Sequence, residues 1–370
     1  MRLGVFAVDD ATVQIAWGKL GPGRIEVSVG DDTVELHTDG GPGVLSFRGL
    51  EPDRPGAVEL RGPGVPGGHQ TLPFRTLPAL PGPELFRFAT VNDIHLGCRV
   101  YGMLHTMREK PQPEEPYTVR MARAAFAEAA AWGAQRLIAK GDVTHHGEIH
   151  NWQRFRDLLD EAGLVGEAIP GNHDVEPRRE IDPNDALEKI GLTPIPEGVR
   201  SIDVPGLRIV LLDSTRLGVR RGHVDHLHEG VREAVAGADG PVWMGLHHHF
   251  EPLWFSYFYP PGVRGRHTSR FLAEIAAANP NVFLSSGHTH RNRRRDVGSL
   301  VLTEVGSPQD YPGTWGSYVV HEAGIRQVTW RTEDPSTTPW IEYSRRAAGT
   351  MWGRWSPGRL RDRCFEHRWV

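Results

Sequence analysis

At 370 residues the chain is too long for one ordinary hydrophobic core, which predicts two domains, one of them α/β. Its 39% hydrophobic and 24% charged residues are those of a soluble globular protein, and a net charge of −4 excludes an overall basic footprint for nucleic acid while leaving local patches open. Two cysteines, Cys98 and Cys364, are too few for a disulfide framework and fit a reducing compartment.

At the start of the chain, Arg2, Asp9, Asp10 and Lys19 interrupt any apolar stretch. Neither a signal peptide nor a membrane anchor is expected, and the predicted location is cytoplasmic. Up to residue 84, short apolar runs at 5–8, 12–17, 24–29, 33–37 and 57–60 alternate with Gly and Pro turns, which predicts a small all-β sandwich domain. The Pro and Gly cluster at 78–83 reads as a linker into a second domain, 85–331. The run 86–91 ends in Asp93 and His95, and a polar insertion at 99–116 follows. Residues 118–132 are predicted helical, capped by Thr118, with Val119, Ala122, Ala125, Phe126 and Ala129 as the buried stripe. The run 137–139 leads into Gly141 and Asp142, 151–162 reads as a helix, and 165–169 leads through Pro170 into Gly171, Asn172, His173 and Asp174. A strand is expected at 207–212, and the run 242–246 meets His247, His248 and His249. A helix at 268–278 is stopped by Asn279 and Pro280, and 282–284 precedes Gly287, His288, Thr289 and His290. Strands are expected at 299–303, 317–320 and 325–330, so strand and helix alternate as in a layered α/β domain. The tail, 332–370, carries Trp340, Trp352, Trp355 and Trp369 among many arginines. So many tryptophans are costly to expose, so the tail is strapped over the body or buried at a subunit contact, which would make the protein a homo-oligomer.

Each stretch has a plain explanation by itself: Asn172 and Asp174 can close a turn with His173 as decoration. Five strand ends, however, repeat one pattern, an apolar run followed at once by ligand-type residues. Together they offer Asp93, His95, Asp142, Asn172, His247, His288 and His290, the oxygen and nitrogen donors that divalent first-row metals select. In the order Asp-x-His, Gly-Asp, Gly-Asn-His-Asp, His-His and Gly-His-x-His, the chain resembles a calcineurin-like metallophosphoesterase over residues 86–330. The resemblance implies that family's fold, a layered β-sandwich flanked by helices, preceded here by the small all-β domain. It also implies two metal ions, of manganese, iron or zinc. One would take Asp93, His95, Asp142 and His290; the other would take Asp142, Asn172, His247 and His288. Asp142 is the expected bridge, because a carboxylate with two oxygens can reach two cations. His247 is preferred to His248 as the first residue after its strand.

The implied chemistry is hydrolysis of a small phosphodiester or phosphomonoester by metal-activated hydroxide, with the two ions about 3.5–4 Å apart. His173, next to a ligand, would then bind the phosphate or protonate the leaving oxygen. Asp174 either orients it or closes the turn. Purple acid phosphatases place a tyrosine ligand three residues after the bridging Asp; here that position is His145, so no ferric-phenolate colour is expected. His145 or His146 either approaches the first metal or the substrate or, as the preferred reading, supports the ligands from the loop behind them. Tyr257, with Phe258 and Tyr259, is a candidate pocket wall, and Arg264 and Arg266 are candidate phosphate contacts, the alternative being an aromatic core under a long loop. Arg291, Arg293, Arg294 and Arg295 either grip a polyanion or face water as a charged hairpin. Two other functions compete, a nuclease using that arginine run as a phosphate track and a non-catalytic scaffold on the same fold. The acidic net charge argues against the first, and the complete ligand set against the second.

Overall fold

The computed structural model describes residues 3–102, 107–110, 113–251 and 259–370. Two six-stranded sheets lie face to face in its centre. The first runs, in spatial order, Gly166–Ile169, Leu137–Lys140, Glu84–Val91, Thr314–His321, Gly324–Arg331 and Cys364–Arg368. Its first three strands are parallel and the rest antiparallel. The second runs Val199–Val204, Leu207–Leu212, Val242–Leu246, Val282–Ser286, Leu300–Glu304 and Arg293–Val297, with a parallel centre and antiparallel edges.

The pleat decides which residue joins which core, since successive side chains point to opposite faces. On Glu84–Val91, Phe86 and Phe88 face the second sheet, and Ala89 and Val91 belong to the outer layer. On Val242–Leu246, Trp243 enters the space between the sheets, where it meets Phe88 and Tyr318 edge-on. Val242, Met244 and Leu246 face outwards. Helices Tyr117–Trp132 and Ile149–Ala162 cover the first sheet with Ala122, Phe126, Trp152 and Phe155. Helices His228–Ala236 and Gly265–Ala278 cover the second with Val231, Val235, Phe271 and Ile275. This is the layered α/β sandwich expected from the sequence.

The N-terminal region is all-β, as expected, but has seven strands rather than five. Gly4–Val8, Thr12–Trp17 and Gly43–Arg48 form one sheet; Asp32–Asp39, Pro22–Val29, Pro55–Arg61 and His69–Arg75 form another. The two strands missed in the sequence have diluted patterns: His69–Arg75 contains Pro73, and most of Gly43–Arg48 is only half-buried. Thr118 does not cap its helix. Pro116 holds that position without a side-chain bond, and Thr118 is buried in the first turn beside Tyr117, which stacks on Trp340 at 3.9 Å. The tail lies against the body and supplies the edge strand Cys364–Arg368 to the first sheet. Among the described residues no helix is long and apolar enough to cross a membrane.

Candidate metal centre

Because the strands that carry the five motifs are parallel within each sheet, their C-terminal ends open on one edge, the usual place for a site in an α/β sheet. There the chain turns sharply. Among the described residues, eight non-glycines have positive φ, and five of them are Asp93, His95, Asp142, His288 and His290, at 50–67°. Left-handed backbone is strained for such side chains and persists only where its surroundings enforce it. Here it turns a donor back over the strand end that delivers it. Close approach also fixes Gly171, where an added Cβ would lie 2.1 Å from the Asp142 nitrogen, and Gly141, where it would lie 2.5 Å from His247 Nδ1.

The candidate donors come together in two overlapping groups. Ligand atoms of Asp93, His95 and His290 lie within 4.8 Å of one another, as do those of Asp93, Asp142, His247 and His288. Asp142 Oδ2 is 3.6 Å from His95 Nε2 and 3.3 Å from His247 Nε2, and His247 Nε2 is also 3.3 Å from Asn172 Oδ1. His290 Nε2 is 3.4 Å from Asp93 Oδ1, and His288 Nδ1 is 3.2 Å from His247 Nε2. Bonds of about 2.1 Å give donor–donor edges of roughly 3.0 Å in an octahedron and 3.4 Å in a tetrahedron, so these spacings suit a metal ion. Asp142 differs from expectation in one respect: its Oδ1 accepts the His173 backbone N–H at 2.8 Å, and Oδ2 alone faces both groups.

The outward nitrogen of three of the histidines is engaged, which aims the other inwards. His247 Nδ1 donates to the Lys140 carbonyl at 2.9 Å, His288 Nε2 to that of Pro261 at 3.2 Å, and His290 Nδ1 to Asp310 Oδ1 at 2.7 Å. Asp93 Oδ2 accepts from Asn92 Nδ2 at 2.7 Å and the His288 N–H at 2.8 Å, which leaves its fully buried Oδ1 without a hydrogen bond. The electrostatics point the same way. Burial opposes both charges, yet Asp142 and Asp93 hold His247 up to about 9, and His247, His173 and His95 hold Asp142 well below the usual carboxylate range. Two buried carboxylates therefore make this pocket attractive to positive charge.

His173 stands at the mouth, its side chain 25% exposed, with Nδ1 3.2 Å from the His145 carbonyl and 3.3 Å from Glu176 Oε1. Asp174 is not its partner. That carboxylate is fully buried and accepts the N–H groups of Gly171, Thr144 and Val143 at 2.8, 2.8 and 3.2 Å and the Thr144 hydroxyl at 2.8 Å. Adjacent side chains in a turn diverge, and Asp174 turns inwards to join two ligand loops. His145 stacks on His173 at 5.1 Å, with a ring nitrogen within 4.8 Å of those of His95 and His173. His248 is held by Ser214 Oγ at 2.9 Å, which leaves His247 as the histidine facing Asp142 and Asn172.

The expected substrate contacts fare differently. Tyr257 and Phe258 lie outside the described residues, and Tyr259 is exposed. Arg264 is exposed at the start of its helix, and Arg266 donates to His267; neither is hydrogen-bonded to the cluster among the described residues. The arginine run does not face water as a free hairpin. Arg291 pairs with Glu304 at 3.1 Å, Arg294 lies over Phe365 at 4.1 Å, and Arg295 donates to the Phe250 carbonyl. Lys140 and Asp310 were missed because their partners, His247 and His290, lie far away in sequence, and Glu176 was missed because the adjacent Asp174 looked the nearer partner for His173. Lys140, a charge ending a buried strand, was the one visible signal.

No protein-family profile matches the chain. It is 30% identical over 171 residues to a 3′,5′-cyclic adenosine monophosphate phosphodiesterase of Pseudomonas aeruginosa, covering 45% of this chain. The match spans 58% of that relative's length. It is 27% identical over 229 residues to a probable cyclic nucleotide phosphodiesterase of a Synechococcus strain, covering 58% of this chain and 82% of the relative. Among solved structures, a purple acid phosphatase from yellow lupin seeds overlaps 90% of this chain and 72% of its own, with a TM-score of 0.47 and 12% identity. The order of the five motifs, the convergence of their donors at one sheet edge and the two sequence relatives all agree with the resemblance to the calcineurin-like metallophosphoesterases.

Proposed function

We propose that the protein is a two-metal phosphoesterase that hydrolyses small phosphodiesters, with cyclic nucleotides, the substrates in its relatives' names, the first class to test. The observation that carries this reading is Asp142 Oδ2, which faces His95 on one side and His247 on the other. Asp93, His95, Asp142 and His290 would hold one ion, and Asp142, Asn172, His247 and His288 the other. All are nitrogen or oxygen donors, which suits manganese, iron or zinc. Bound divalent ions supply Lewis-acid stabilisation of phosphoryl charge and a water acidified towards a pKa of about 7.

The chain's own groups do the rest. Two carboxylates against two dications leave the site net positive, which favours an anionic phosphoester. His173, with Nδ1 engaged by Glu176 and the His145 carbonyl, keeps Nε2 as the nitrogen open to substrate, placed to donate a proton to the leaving oxygen. Nothing favours a nuclease, since Arg291, Arg294 and Arg295 are spent on internal partners. We further propose the division 1–84, 85–331 and 332–370 as small β domain, phosphoesterase domain and tail.

Two measurements test the assignment: metal analysis, and hydrolysis of cyclic nucleotides, glycerophosphodiesters and nitrophenyl esters with added Mn(II). We expect up to two metal ions per chain and activity abolished by chelation. In Asp142→Ala both sites should empty or scramble. Full occupancy with undiminished activity in that variant removes the basis of the assignment.

A further inference from the structure

We infer that the tail, residues 332–370, is a working part of the metal centre, and that Asp310 is the positioning residue through which it holds His290. The inference rests on the two-metal reading above.

The chain of contacts starts at His290. For Nε2 to face Asp93 with a lone pair, the ring must carry its proton on Nδ1, and the Asp310 carboxylate at 2.7 Å selects that tautomer and fixes the ring plane. Asp310 is fully buried, so its carboxylate needs partners of its own. Its second oxygen, Oδ2, accepts the Trp352 indole N–H at 2.6 Å and the Tyr101 hydroxyl. With Oδ2 held by two donors, the carboxylate cannot rotate, and Oδ1 stays aimed at the imidazole.

The neighbours of Asp310 are tied to the same tail. The Gln309 carbonyl accepts the Trp340 indole N–H at 2.7 Å, and the Tyr311 N–H donates to Ser344 Oγ at 3.0 Å. Three consecutive residues are thus each bonded to a residue between 340 and 352. The other end of this loop reaches a second candidate ligand, where Ser307 Oγ donates to the Asp93 carbonyl at 2.8 Å. The buried Trp340, stacked on Tyr117, anchors the arrangement to the body. Stability alone would not require two tryptophan N–H groups to converge on the loop that orients a ligand.

The test is calorimetric titration of chelator-stripped protein with Mn(II), with circular dichroism as the check on folding. Asp310→Asn keeps the volume but not the charge, and Trp352→Phe keeps most of the ring but not the N–H. Asp310→Asn should weaken one of the two binding steps by 10–100-fold, the usual loss for an outer partner of a metal-bound histidine, and leave the other step within about twofold. Trp352→Phe should weaken the same step several-fold. Trp355→Phe, whose ring covers Arg291 at 4.8 Å and does not touch Asp310, should change neither. Should Asp310→Asn not fold, Tyr101→Phe beside Trp352→Phe must reproduce the single-step loss. Unchanged affinities in these variants, or equal loss in both steps, overturn the inference while leaving the two-metal reading intact. Failure of the wild-type protein to bind metal overturns both.

Discussion

A histidine at the mouth of the candidate metal centre needs a partner to hold its ring, and for His173 that partner is Glu176. Sequence adjacency points to Asp174, but in a turn adjacent side chains diverge, and the residue three positions on returns to the same side. Glu176 also engages His146 at 2.8 Å, so one carboxylate steadies two histidines at the mouth. An alkoxide leaving group needs a proton, whereas a nitrophenolate leaves well without one. His173→Ala should therefore keep its metals and lose on the order of 10²-fold or more on alkyl phosphoesters, with a clearly smaller loss on nitrophenyl esters. Glu176→Gln should lose less, on the same substrates. Parallel kinetics on the two ester classes decide the matter: equal losses would make His173 a phosphate-binding group, and loss of metal would make it structural. The seven donors were legible because each follows an apolar run directly. The left-handed backbone of five of them was not, since Asp and His adopt positive φ far less often than Gly and do not announce it.

The strands and helices that build the site were legible to within a few residues where one period dominates, as at Leu207–Leu212 and Ile149–Ala162. Elements without a clean pattern were missed. Arg293–Val297 reads as a charged loop because Arg294 is partnered by Phe365 and Arg295 by the Phe250 carbonyl, and neither partnership leaves a mark in sequence. Cys364–Arg368 was hidden in a tail whose tryptophans and arginines suggested packing but no strand. Asp174 belongs at this scale too, because it joins loops 142–144 and 171–174 through four hydrogen bonds. Asp174→Ala leaves several buried N–H groups unsatisfied, each costing about 1–3 kcal/mol, so a total loss of roughly 3–5 kcal/mol of unfolding free energy is expected. Asp174→Asn should fall between, since it can still accept at one oxygen. Denaturant titration measures both. Wild-type stability with a loss confined to turnover would return Asp174 to a catalytic role.

At the scale of the molecule, the N-terminal sheets, the body and the tail are joined by buried polar contacts as well as by apolar ones. Gln14 pairs with both backbone groups of Arg331, Arg363 Nε donates to the Phe6 carbonyl while its guanidinium lies over the Phe6 ring, and Arg326 meets Asp10 at 2.6 Å. Glu128, on the helix Tyr117–Trp132, sits where these parts meet. It accepts the N–H groups of Glu333 and Asp334 at the head of the tail and the Trp315 indole N–H, while Glu333 reaches back to Ser46 and Gln14. Burial outweighs those donors and pushes the Glu128 carboxyl from 4.5 up to about 7. Between those two values the folded chain holds this proton and the unfolded chain does not, so stability from this group rises as pH falls through the window and is complete below it. Above pH 7 the ionised, half-buried carboxylate costs about 1–3 kcal/mol once solvent screening is allowed for. Glu128→Gln cannot titrate. The difference in unfolding free energy, wild type minus Glu128→Gln, should therefore grow by about that amount between pH 8 and pH 5, whatever constant offset the amide introduces. Other groups titrate in both proteins and cancel in the difference, so a flat difference across that range would mean that Glu128 is ionised in the folded state throughout and that the junction is held by its charge.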